Sequence, residues 1–202
     1  MRVLCLLLAA SVTGLAGADR LILIPTGTKL PFGTARLEHL FDVRATSRSQ
    51  EYFGFGVGKS FEAAITSERM PGGNEGSFDF AFNYLDPVVN YAPGISVGVV
   101  DAMDNTADGR RFYVAVTFRS GLDGQYNART PAEATIGGFA GSRNAMFVGI
   151  SLPFSSSWRL IGEHDANRLT AGVEIRPSNI VSVRWLQRHG QNLWSLVLRG
   201  RL

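Results

Sequence analysis

For about nine to eleven residues at a time, this sequence alternates strictly between large apolar and polar side chains, and the runs are separated by Gly, Pro, Asn, Asp and Ser. Phe78, Phe80, Phe82 and Tyr84 alternate with Ser77, Asp79, Ala81 and Asn83. Phe112, Val114, Val116 and Phe118 alternate with Arg111, Tyr113, Ala115, Thr117 and Arg119. Leu169, Ala171, Val173 and Ile175 alternate with Arg168, Thr170, Gly172, Glu174 and Arg176. A helix would scatter these residues around its circumference, whereas a period of two collects each set on one face of a strand.

The same pattern predicts about twelve strands. They run near Thr34 to Arg44, Ser49 to Val57, Phe61 to Glu68, Ser77 to Leu85, Ile95 to Met103, Arg111 to Arg119, Ala134 to Ala140, Ala145 to Leu152, Trp158 to Asp165, Arg168 to Arg176, Ile180 to Arg188 and Asn192 to Leu202. An even number lets an antiparallel ring close with both chain ends on one side. The fold expected is all-β, a single antiparallel up-and-down transmembrane β-barrel over residues 34–202. Its longest connection is Ser120 to Glu133, and the short loops leave little chain for a plug.

Alternation alone does not say which face is wet, but the polar half does. It contains Arg36, Glu38, Asp42, Arg44, Glu62, Glu68, Asp79, Arg111, Arg119, Glu163, Asp165, Glu174, Arg176, Arg184, Arg199 and Arg201. After Arg2 the chain has seventeen arginines against two lysines, Lys29 and Lys59. Guanidinium forks suit fixed ion pairs, while lysine suits a freely solvated surface. This half therefore reads as an internal salt-bridge network. Arg36, Glu38, Asp79, Arg111, Arg119, Glu163, Asp165, Glu174, Arg176, Arg184 and Arg199 are the candidate lumen-lining residues, with Glu163 and Asp165 expected to pair with Arg176 or Arg184. The Phe, Val, Leu and Ile half would face lipid, with Tyr84, Trp158, Trp185 and Trp194 as interfacial anchors.

The first eighteen residues support export. Arg2 precedes an apolar stretch from Val3 to Ala10, and Ala16-Gly17-Ala18 precedes Asp19, the layout of a cleaved signal peptide. The only cysteine, Cys5, lies inside that leader, so neither disulfides nor thiol chemistry hold the rest together. Residues 19–33 are expected to form a short periplasmic segment ahead of the barrel. The alternating C-terminal stretch, from Trp194 to Leu202, resembles the assembly signal of outer-membrane barrels. The partners expected are outer-membrane lipid and the barrel-assembly machinery. The net charge of +3 is interleaved rather than clustered, which argues against nucleic acid.

No motif calls for a cofactor, a metal or a catalytic group. Gly58-Lys59-Ser60 imitates the end of a phosphate-binding loop, but the first glycine of that motif falls at Phe53 and the strand-to-helix context is missing. Asp104, Thr106, Asp108 and Gly109 imitate the start of a calcium loop whose closing glutamate falls at Ala115. His164 beside Asp165 has no serine marked out to join it. The chain reads as a non-enzyme: a narrow passive channel or structural barrel, with lumenal arginines favouring small anionic solutes.

Gly162-Glu163-His164-Asp165, followed by Asn167, Ala171-Gly172-Val173 and Arg176-Pro177, together with Pro25-Thr26-Gly27 and Leu30-Pro31-Phe32-Gly33, resembles small bacterial outer-membrane barrels. Within them it is similar to the YjbH-type group associated with exopolysaccharide. That resemblance implies an accessory role in polysaccharide export or envelope assembly.

Overall fold

Every alternating run forms a strand, because an extended chain with one apolar and one polar face can bury its backbone polar groups only by pairing sideways. The computed structural model describes residues 20–44, 48–121 and 131–202; the leader expected over residues 1–18 and most of the expected connection from Ser120 to Glu133 lie outside the described residues. The strands are β1 (Thr34–Asp42), β2 (Ser49–Gly56), β3 (Phe61–Met70), β4 (Gly73–Leu85), β5 (Gly94–Val100), β6 (Arg111–Ser120), β7 (Ala132–Gly141), β8 (Ala145–Pro153), β9 (Trp158–His164), β10 (Leu169–Ile175), β11 (Val181–Arg188) and β12 (Gln191–Arg201).

Each strand pairs antiparallel with its neighbours in sequence, and β12 pairs with β1 from Thr34↔Arg201 to Asp42↔Leu193, which closes the ring. Two boundaries differ from expectation by three residues or more. β4 begins at Gly73, because the tight β3–β4 hairpin extends the pairing up to Met70↔Gly73. β5 stops at Val100, because Asp101 takes a positive φ of 56° and its carboxylate accepts the N–H groups of Asn105 (2.9 Å) and Thr106 (2.8 Å). That carboxylate organises a turn instead of a continuing strand.

The apolar face points outward. Phe53, Phe61, Ile65, Phe80, Phe112, Val114, Phe118, Val148, Ile150, Leu160 and Leu196 are all exposed on the barrel wall. Tyr84 and Trp158 are exposed at the end of the barrel where β1 begins and β12 ends, while Trp185 and Trp194 face each other across β11–β12. One polar pair interrupts this face. His39 Nδ1 and Glu51 Oε1 are 2.5 Å apart on facing positions of β1 and β2, with the imidazole stacked on Phe41. Mutual hydrogen bonding limits what such a pair costs in lipid.

Residues 20–33, expected as a periplasmic lead, instead run inside the barrel. Ile22, Ile24 and Leu30 are at most 1% exposed, and an antiparallel bridge between Arg20 and Pro25 folds the start of the segment back on itself. The physical reason is in the lumenal wall. Gly56 and Gly149 face inward, and a Cβ at Gly56 would stand 2.2 Å from Pro31 O, while one at Gly149 would stand 2.6 Å from Leu21. The missing side chains leave room for the apolar Leu21, Ile22 and Ile24 to escape water, packing against Leu40, Tyr113, Phe139, Phe147, Ile161, Leu186 and Leu193. Gly33, at φ +70°, makes the turn that returns the chain to the wall at Thr34.

Candidate functional site: the lumen

Inside the half of the barrel nearest the start of β1 and the end of β12, two carboxylates organise most of the arginines. Glu38 Oε2 accepts Arg36 Nη2 at 2.5 Å and Arg20 Nη2 at 3.3 Å, and Oε1 accepts Arg184 Nη1 at 3.2 Å and Ser195 Oγ at 2.7 Å. Glu174 Oε1 lies 3.0 Å from Arg176 Nε, 3.7 Å from Arg184 Nε and 4.0 Å from Arg199 Nη1. Nearby, Arg119 Nε pairs with Glu133 at 2.9 Å, and Arg159 donates to Pro131 O at 3.4 Å. Glu38, Glu174, Arg36, Arg184 and Arg199 are all buried. Buried carboxylates and guanidiniums persist only when so paired, since an isolated buried charge is costly. Arginines outnumber carboxylates in this region, and Nε and Nη2 of Arg199 have no hydrogen-bond partner among the described residues.

A second set of carboxylates holds the lumenal segment. Glu163 accepts backbone N–H groups from Ile22 (2.9 Å), Leu23 (2.9 and 3.0 Å to its two oxygens) and Ile24 (3.3 Å). Glu62 accepts Leu30 N at 2.8 Å and the Tyr52 hydroxyl at 3.2 Å. Between these anchors, Gly27 N donates to Thr117 Oγ1 (2.7 Å), Asn83 Nδ2 to Gly27 O (3.0 Å) and Ser96 Oγ to Thr26 O (2.5 Å). The segment has little regular pairing of its own, so the wall supplies the partners that its backbone requires.

These contacts correct two expectations. Glu163 does not pair with Arg176 or Arg184, because the register sets it opposite Thr170 near the start of β10, whereas Arg184 stands opposite Glu174 and Arg176 follows the end of that strand. Asp165 does not either, since its Oδ1 accepts the N–H groups of Asn167 (3.0 Å) and Arg168 (2.8 Å) in the β9–β10 turn. The remaining candidates sit on the inner wall: Asp79 half-buried and accepting Asp101 N (2.8 Å), and Arg111 with its guanidinium 4.9 Å from the Phe139 ring centre. Arg20, Arg159 and Arg188 were missed as lumenal residues. Arg159 shares the inward parity of Ile161 and Glu163 and was legible on that ground, whereas Arg20 lies on the segment and carried no such signal. The calcium-like loop directs its oxygens elsewhere, with Asp104 Oδ1 accepting Arg110 N at 2.7 Å. His164 Nδ1 accepts Ala166 N at 3.2 Å.

Beyond the segment, toward the end of the barrel where β1 ends and β12 begins, the lumen opens into a vestibule of about 500 Å³. Arg20, Leu23, Ile24 and Pro25 form its floor, and the β5–β6, β7–β8 and β9–β10 connections form its rim.

A closed ring of strands, apolar outside and charged within, is a membrane-spanning β-barrel, since closure leaves no backbone group unpaired in lipid. Among solved structures the chain is similar to the KdgM porin, with a TM-score of 0.54 at 7% identity, covering 84% of this chain and 99% of that one. The same porin in complex with disordered oligogalacturonate gives 0.53. The outer membrane protein Omp33 of Acinetobacter baumannii gives 0.51 at 7% identity, over 84% and 96% of the two chains. At these identities the likeness is one of fold. No family model and no curated protein matches the chain.

Proposed function

We propose that this chain is a narrow, porin-like passive channel of the bacterial outer membrane, delivered there through the leader of residues 1–18 and inserted among outer-membrane lipids by the barrel-assembly machinery. The observation that carries the reading is the lumen itself: a charged interior, with about 500 Å³ of it empty, inside an apolar exterior. The excess of arginine around Arg36, Arg159, Arg184 and Arg199 favours anions in transit. Residues 20–33 form the constriction, so the resting conductance is small.

The test is single-channel current from the refolded chain without its leader in a planar bilayer, with heat-modifiable gel migration as the check on folding. Discrete anion-preferring steps are expected, with the preference reduced by Arg199→Ala and the step size raised by removing residues 20–30. A folded barrel that stays silent even without residues 20–30 would overturn the channel reading. That result would support the second reading, an accessory barrel for exopolysaccharide export, which the resemblance around Gly162 to Pro177 implies and which the occupied lumen favours.

A further inference from the structure

The vestibule is built differently from the network beneath it. There, opposite charges meet in ion pairs; here they are kept apart. Glu68 on β3 and Glu75 and Asp79 on β4 form an acidic arc, continued by Asp108 in the β5–β6 connection. Facing them are Arg168 just before β10, Arg188 at the end of β11 and Arg143 before β8, with Asp165 beside Arg168 but its Oδ1 committed to the N–H groups of Asn167 and Arg168, while Arg20 and Arg111 line the floor and the rim. In this ring of twelve, β4 and β10 stand six strands apart and are therefore diametrically opposed. No two of the seven described groups in these two arcs form an ion pair with each other, and Asp108 Oδ2 lies 3.6 Å from Arg111 Nη2 at the rim.

The acidic arc is also arranged against its own stability. Glu68 and Glu75 are direct cross-strand partners, and like charges placed opposite each other on neighbouring strands repel. Hydrogen bonds relieve this in part, with Asp79 accepting Asp101 N (2.8 Å) and the Ser77 hydroxyl, and Glu75 accepting Ala107 N (3.2 Å). On the far side, Arg188 Nε donates to Thr170 Oγ1 at 2.8 Å while its Nη2 has no partner among the described residues. Local rules are broken in this way where a ligand completes the arrangement. Between the arcs, Tyr113 and Phe139 meet edge to face, with centroids 6.4 Å apart, and offer an apolar flank.

We infer that the vestibule binds a small zwitterion, an amino acid or short peptide, with its ammonium toward Glu68, Glu75 and Asp79 and its carboxylate toward Arg168 and Arg188. A singly charged solute satisfies one arc and leaves the other as it was. A solute with both charges satisfies both, and its body rests against Tyr113 and Phe139. A volume of about 500 Å³ lies within the range of small-molecule pockets and accommodates up to a tripeptide. As the channel's substrate class this rests on the channel reading, but binding itself is measured without any current.

The experiment is calorimetric titration of the complete refolded barrel in detergent with trialanine, N-acetyl-trialanine and trialanine amide, each variant first checked for heat-modifiable migration. Trialanine is expected to bind, and blocking either end to weaken it about tenfold or more, the loss expected for one charge-assisted contact. The Glu68→Gln, Asp79→Asn pair should bind trialanine no better than wild type binds the acetylated form. The Arg168→Gln, Arg188→Gln pair should likewise erase the advantage over the amide. Equal binding of all three peptides, or binding of none, overturns the inference. A barrel that conducts without discriminating the peptides keeps the channel and loses the site, whereas one that discriminates without conducting keeps the site and loses the channel.

Discussion

Replacing Glu163 with alanine removes the acceptor that three consecutive backbone N–H groups share, at 2.9 to 3.3 Å. A hydrogen bond to a charged acceptor contributes about 1.5 kcal/mol at the low end of its range. Counting only the two shortest contacts gives about 3 kcal/mol of anchoring, or roughly a hundredfold in the fraction of time the segment stands away from the wall. Ile22 reports that fraction, because it is 0% exposed in the seated segment, and residues 19–202 contain no cysteine. An Ile22→Cys variant should therefore react with a maleimide about a hundred times faster in the Glu163→Ala background, and about tenfold faster with Glu163→Gln, which keeps a neutral acceptor. Gly149→Leu should accelerate the reaction from the opposite side, by filling the space that Leu21 and Ile24 occupy. Labelling within twofold of the parent in Glu163→Ala, with the barrel still folded, would show that the carboxylate does not hold the segment.

Two further outcomes follow from the same geometry. Glu38→Ala leaves Arg36, Arg184 and Arg20 around an empty position, and a stranded buried charge costs about 3 to 5 kcal/mol. The midpoint of urea unfolding in detergent should fall accordingly, and a midpoint unchanged from wild type would refute the network's structural role. In the β5–β6 connection, burial would raise the Asp101 carboxyl, but the N–H groups of Asn105 and Thr106 and the Thr106 hydroxyl outweigh it and hold the group below its ordinary range. A depressed value means that this carboxylate stabilises the loop above the ordinary carboxylate range and that the contribution is lost as pH falls through the folded-state value. Amide-exchange protection at Asn105 and Thr106 should thus persist at neutral pH, fade in acid, and be weak at all pH values in Asp101→Asn.

The barrel was legible because its two faces obey a period that nothing else in the chain imitates. Phe112, Val114 and Phe118 announce a lipid face as plainly as Glu174 and Arg184 announce an inner one, and the arginine-for-lysine bias decided which was which. The lumenal segment was not legible. Leu21 to Ile24 read as a short apolar lead, because the groups that hold it are backbone amides, which every residue carries and no composition reveals. Glu163 was assigned an arginine partner for the same reason: side chains suggest pairings, and a carboxylate that binds main chain leaves no trace in them. Gly56 and Gly149 were the available clue, small residues at inward positions where a filled lumen needs clearance. The separation of charge in the vestibule depends on which strands stand opposite one another, and that is known only once the ring is closed and ordered.

Because Gly33 joins the lumenal segment directly to β1, the barrel carries its own occupant on a tether a few residues long. A ligand held this way acts at an effective concentration of the order of millimolar, whatever the concentration of the protein. A freely diffusing solute arriving from the side where β1 begins therefore competes with a rival that cannot be diluted away, while one arriving in the vestibule meets open space first. The two mouths of this barrel are unequal in kinetics as well as in shape, and the inequality is built into the covalent chain.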